Sequence, residues 1–239
     1  MIKSIINHFK NTRSFKDFYT DWITTLKTTL LPHLTHSLSS SSSPDPLLLS
    51  THVQLVLAHF NTYFSALDTA SNDNLSHLIY PSWRNDIEKP FLWFGDFHPY
   101  IFTNLLRSFL EYDDSDENDN GFELDLSNMG RNPWRNLDGS LGHKVEHIEC
   151  GLRLMVPAIG KRAREAQCRL VGKMGSGYEV GEMVGEVVEE MTCVFLDANR
   201  LRKSVLSDIV SALNVNQAAF FLHGLVQFYV GFWDSKSID

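Results

Sequence analysis

An all-α, multi-helix bundle of one domain with long antiparallel helices is the fold the sequence predicts, and three observations predict it. Apolar residues recur at three- and four-residue steps in every long segment. No run alternates apolar and polar residues as a half-buried strand would, and no convincing hairpin or internal repeat is present. The 239 residues are 43% hydrophobic and 12% aromatic, enough length and apolar content for one sizeable core. Helices must then bury one another.

The first stripe is Phe15, Phe18, Tyr19, Trp22, Leu26 and Leu30, and Ser14 with Asp17 forms a capping box that has Asp in place of Glu. The serine run 39–43 closed by Pro44 ends this helix, so 37–46 reads as a flexible linker. A second helix is predicted over about 47–67, with Val53, Leu57, Phe60, Phe64 and Leu67 on one face, followed by a Pro81-Ser82-Trp83-Arg84 turn. Pro99 suits the first turn of a third helix bearing Ile101, Leu105, Leu106 and Phe109, and Asp96 lies close enough to cap its amides. The acidic tract 113–120 is too polar to fold by burial and reads as a mobile insertion not needed for folding, within an acidic disordered insertion placed at 111–138. From about Leu141 a long helix carries Ile148, Leu152, Met155 and Ile159, kinked or divided by Pro157. Past a glycine-rich break at 173–177, a fifth helix covers about 180–213. A sixth starts at Asn214 with Gln217 as the amide version of a capping box, buries Ala218, Phe221, Leu225 and Phe228, and ends at Trp233. The domain is thus placed at 14–233, between an N-terminal extension 1–13 and a C-terminal tail 234–239.

Charge narrows the function classes. A net charge of −8 and a pI near 5.6 disfavour nonspecific phosphate binding, and the one locally basic segment, Lys161, Arg162, Arg164, Arg169 and Lys173, reads as a solvated helix face. Cys150, Cys168 and Cys193 lie far apart without a C-x-x-C pair, which suggests neither a disulfide framework nor a thiolate zinc site and fits a reducing compartment. The start carries no apolar signal region and no myristoylation glycine, and no window approaches the roughly 20 apolar residues of a membrane span. An intracellular, soluble chain is expected, with any membrane attachment made through a partner or a surface contact.

One string looks catalytic. His143-Lys144-Val145-Glu146-His147 has the H-x-x-E-H spacing in which two imidazoles on one helix face bind zinc and the Glu activates water. A hydrolase also needs a third ligand and an open coordination position, and no such ligand is identifiable. Zinc hydrolysis, or metal or haem ligation through His143 and His147, therefore ranks below an exposed helix face. No nucleophile elbow, phosphate loop or dinucleotide fingerprint is present. The chain is expected not to be an enzyme and to need no cofactor. His59 and His98 read as packing or capping residues. The aromatics Trp83, Phe91, Trp93, Phe94 and Phe97 suit core packing, with a partner surface as the alternative.

Residues 91–99, Phe91-Leu92-Trp93-Phe94-Gly95-Asp96-Phe97-His98-Pro99, resemble the FLWxGGFRP signature of the plant delay-of-germination domain, known also from the C-terminal half of TGA-class bZIP factors. Two further patterns agree. Phe15, Phe18, Tyr19, Trp22 and Ile23 stand in the family's FxxFYxxWL. Ala198, Leu201, Arg202 and Leu206 match its ADxLRxxxL, and Gln217, Ala218, Ala219 and Leu222 match QAAxxLL. Three positions depart: Asp96 replaces the second Gly, His98 the Arg, and Asn199 the Asp. If that Asp and Arg form a charged pair in relatives, the pair is absent here. Residues before Phe15 hold only Lys3, Lys10 and Arg13, too few for a basic region, so direct DNA binding is not expected.

The G-D-x-H-P-Y form of the signature and Pro81-Ser82-Trp83-Arg84-Asn85 look closer to the pollen-aperture branch of the family than to TGA factors. That resemblance implies a non-enzymatic adaptor that assembles with plasma-membrane-associated protein partners, possible homo-oligomers included, at membrane domains of the developing microspore. There it would prevent local exine deposition. Trp83, Phe91, Trp93, Phe94, Asp96, Phe97 and His98 are the expected partner contacts. The alternative is a nuclear transcriptional or seed-dormancy regulator that binds a regulator, small ligand or haem.

Overall fold

The computed structural model describes residues 14–39, 45–111, 133–134, 139–173 and 180–235. The chain runs α1 (Phe15–Thr25), a π-helical stretch (Leu26–Leu30), α2 (Leu31–Leu38), α3 (Pro46–Ile79), a 3₁₀ turn (Lys89–Phe91), β1 (Leu92–Trp93), β2 (Asp96–Phe97), α4 (Tyr100–Leu110), α5 (Gly139–Lys173), α6 (Val180–Ala212) and α7 (Val215–Asp234). The all-α expectation holds, with one correction: β1 and β2 pair antiparallel as a minimal hairpin. Two residues per strand are too few to show alternation, so the pattern could not announce it.

Local chemistry explains most boundaries. The Ser14 hydroxyl accepts from the Asp17 amide and opens α1. Pro32 lacks the amide that would bond the Thr28 carbonyl, and the helix widens just before it, the Leu31 amide reaching back to the Leu26 carbonyl. Helix continues to Leu38, where Ser37 and Leu38 are buried, and Asp45 caps α3 through the Leu47 amide with Pro46 behind it. The linker placed at 37–46 is therefore shorter at both ends, residues 40–44 lying outside the described ones.

α3 runs twelve residues past the predicted end at Leu67. It breaks at Asn74 (φ −154°, ψ 78°), whose Oδ1 accepts from the His77 amide and the Ser76 hydroxyl and so restarts the helix as an internal cap. Pro157 does not divide α5. The insertion placed at 111–138 also needs correcting. Pro133 and Trp134 return to the body, Trp134 stacking on Phe109 at 5.3 Å while the Gln217 amide donates to the Pro133 carbonyl at 3.3 Å. The acidic tract itself lies outside the described residues.

The core gathers on α7. Its capping box is present in both directions, Asn214 to the Gln217 amide and Gln217 back to the Asn214 amide. Every residue from Gln217 to Val226 is buried, as expected of a helix apolar all round. α1, α3 and α4 pack on it, and Gly224 lets α4 close in, since a Cβ there would lie 3.0 Å from the Phe109 ring. α5 and α6 form a long hairpin fixed by Arg162 to Glu190 and Asp197. No described helix is long and apolar enough to cross a membrane.

Core packing also sets a pH response. Burial holds the His223 imidazole at about 4, below its ordinary 6.5, and its Nε2 meets the Thr35 hydroxyl at 2.9 Å. The unfolded chain takes up this proton at higher pH than the folded one. The contribution is therefore complete above about 6.5 and is lost as pH falls toward 4, on the order of 3 kcal/mol. Thermal melts of wild type and His223→Gln between pH 7 and pH 4 should show a steeper fall for wild type, and parallel curves would contradict this.

Candidate functional site

The three sequence patterns, separate along the chain, converge on the β1–β2 hairpin. Its loop is Phe94-Gly95, with φ of +47° and +79°, the two positive values that a tight two-residue hairpin turn requires. Gly95 is demanded twice: by its φ, and because a Cβ would sit 1.9 Å from the Leu78 carbonyl oxygen of α3. Phe94 is costlier, since a bulky side chain rarely occupies positive φ.

Under the hairpin lies a buried charge cluster. Arg84 Nη2 donates to Asp96 Oδ1 at 2.7 Å and to the Tyr63 hydroxyl at 3.0 Å. Its Nη1 lies 3.7 Å from Glu88 Oε2, and its guanidinium stands 4.5 Å from the Tyr19 ring centroid. Arg202, from α6, grips the hairpin backbone: Nε donates to the Phe97 carbonyl at 2.7 Å, and Nη2 to the carbonyls of Trp93 and Asp96. Arg84, Glu88, Asp96 and Arg202 are at most 3% exposed, and their two cations balance two anions, which makes the burial tolerable. Burial raises the hydroxyl pKa of Tyr19, Tyr63 and Tyr229 above the ordinary tyrosine value, keeping them neutral among these charges.

The N-terminal pattern completes the floor. Trp22 stacks on Tyr63 at 4.4 Å and exchanges hydrogen bonds with His59, Nε1 to the His59 carbonyl and His59 Nε2 to the Trp22 carbonyl. Tyr19 lies over Arg84, and Phe15 meets Trp83 at 5.4 Å, while Phe18 contacts Phe15 at 5.6 Å. In the C-terminal pattern, Asn199 Nδ2 donates to the Phe64 carbonyl and to Asp68, which the Asp of relatives could not do. Ala198, Ala218 and Ala219 are buried, and Leu201 packs at the core's margin.

The residues expected at a partner surface thus separate into two groups. Trp83, Asp96 and Phe97 are buried at 8%, 0% and 0% exposure, so this structure gives them to the core. Asp96 does not cap α4; it accepts from Arg84 and the Phe97 amide, while His98 Nδ1 accepts from the Tyr100 amide. Phe94, Trp93, His98 and Tyr100 instead form a row of half-buried rings at centroid steps of 4.8, 5.1 and 5.1 Å. Phe91 is nearly half exposed beside Phe232. Pro99, between His98 and Tyr100, is the residue flanking α4 at its start. Arg84 and Glu88 were not foreseen as members of the site: nothing local signals that Arg84 meets Asp96 twelve residues on across a turn, and Glu88 joins only through its pair with Arg84.

His143 and His147 lie exposed on α5, away from this cluster. Glu146 between them pairs with Arg153 and Arg107, and Glu149 takes Arg107 through both oxygens. Among the described residues no three His, Cys, Asp or Glu gather as a metal site.

Residues 30–108 match the family described as seed dormancy control. The chain is 43% identical over 258 residues to Protein INAPERTURATE POLLEN1 of Arabidopsis thaliana, covering 97% of this chain and 94% of that protein. It is 35% identical over 229 residues to Protein INAPERTURATE POLLEN 1 homolog of Oryza sativa subsp. japonica, covering 94% of this chain and 86% of that one.

Proposed function

The chain belongs to the seed-dormancy-control family, in the branch of INAPERTURATE POLLEN1, and from that premise we propose that it is a non-enzymatic adaptor acting in pollen aperture formation. It marks aperture sites by assembling with protein partners at plasma-membrane domains of the microspore and keeps exine from being laid down there. The observation that carries this reading is the ring row Phe94–Trp93–His98–Tyr100, held on a backbone that Arg202 and Gly95 fix from below. Partly exposed aromatics on an anchored turn, with Trp93 and Phe94 backed by Ile159, Ala163, Val194 and Ala198, suit a protein contact, and Phe94 keeps an unfavourable backbone angle of the kind that persists at functional positions. The reading uses no cofactor and no nucleic acid.

The test is complementation. A tagged copy expressed in Arabidopsis plants lacking INAPERTURATE POLLEN1 is expected to restore apertures and to concentrate in discrete membrane domains of tetrad-stage microspores. A copy confined to nuclei, with pollen still without apertures, would replace this reading with the regulator that the match to a seed-dormancy family favours.

A further inference from the structure

α5 and α6 present an outer face that no other described element lines. Two grooves run along it between the helices. One, of about 660 Å³, is lined only by residues of α5 and α6, with Met155 exposed and Ile148 and Leu201 partly exposed along it, over the buried Leu152 and Val205. The other, of about 280 Å³, lies nearer the hairpin's far end and is again lined by these two helices alone, including Leu170 and Val187. Met155 is 47% exposed, well above the core residues of the same helix.

Charge divides this face lengthwise. The α5 edge of the grooves carries His143, Lys144 and His147, then Arg169, while the α6 edge carries Asp208, then Glu189 and Glu190. The same division runs through the sequence: 161–173 holds five cations and one anion, and 180–197 holds five anions and no cation. Between the grooves Arg162 spends its charge within the chain on Glu190 and Asp197, which fixes the register of the two edges.

We propose that this face binds a second copy of the chain, α5 of each copy lying on α6 of the other about a twofold axis parallel to the helices. A face with one basic and one acidic edge is complementary to itself under that rotation, as a closed dimer requires. The rotation also sets the apolar grooves opposite each other and leaves each core on the outside. Helices of this length span about 50 Å and two abreast about 20 Å, so each copy offers roughly 1,000 Å², within the range of stable interfaces.

Light scattering coupled to gel filtration of the full chain tests this, together with charge-reversed variants. Wild type is expected to be a dimer at tens of micromolar. Lys144→Glu with Arg169→Glu, and separately Glu189→Lys with Asp208→Lys, should each weaken self-association by at least about tenfold. Mixing the two variants in equal amounts should restore a dimer, because each then supplies the edge the other lacks. Met155→Glu, at a site exposed enough to leave the melting temperature unchanged, should give a monomer. A monomeric wild type, which would leave the face to a partner of different sequence, overturns the proposal. So does a dimer that survives Met155→Glu, or a mixture that stays monomeric while both variants melt like wild type.

Discussion

Gly95→Ala is expected to destabilise the protein by about 3–5 kcal/mol, combining the cost of an L side chain at positive φ with that of forced overlap in a packed site. The overlap is not relieved by a rotamer change, because the atom met is the Leu78 backbone oxygen, 1.9 Å from the new Cβ. For a chain of this size the melting temperature should fall by roughly 10 °C. Gly231→Ala is the control: it sits on an exposed stretch of α7 where a Cβ meets nothing within 4 Å, so the better helix former should leave stability equal or slightly higher. Equal melting of the two variants would mean that the turn does not approach α3 as described.

Asp96→Asn is expected to cost a comparable amount, about 3–5 kcal/mol, because it removes one anion from a fully buried cluster and leaves Arg84 and Arg202 facing Glu88 alone. Asp96→Gly with His98→Arg, the form found in the TGA-class signature, should be at least as damaging, since it adds a cation close to Arg202. Urea denaturation would measure both. A loss below about 1 kcal/mol would place Asp96 in contact with solvent. This assigns Asp96 to the foundation of the hairpin and leaves the exposed face to its neighbours.

How far the sequence could be read follows from the range of each interaction. Helices α1 and α7 were legible because their stripes and caps are local, within four residues of one another, the α7 cap being reciprocal and the α1 cap one-sided. The family patterns also marked residues 91–99 and Arg202, without showing that 92–97 pair as a hairpin. What was hidden depends on contacts that no spacing encodes. The Arg84–Asp96 pair crosses an irregular turn. Trp134 returns to Phe109 from a segment whose composition reads as loop. The Asn74 break lies in the polar stretch 68–74, beyond the last apolar stripe, where composition reads as the end of a helix and only the cap made by the Asn74 side chain carries it on. Asp96 looked like a cap because it precedes a helix, and burial beside an arginine decided otherwise.

On the proposed reading, the hairpin serves to present the Trp93–Phe94 end of the ring row to a partner. Phe94→Asn with Trp93→Ala separates presentation from folding. Asn followed by Gly95 is the pair this turn geometry favours, so backbone relief offsets part of the packing lost against Ile159, Ala163, Val194 and Ala198, and the variant should still unfold in one cooperative transition well above ambient temperature. The decisive measurement is quantitative imaging of this variant in tetrad-stage microspores beside that melt. The expected result is a folded protein spread evenly, without enrichment at aperture domains and without restored apertures. Normal enrichment of the folded variant would contradict the claim.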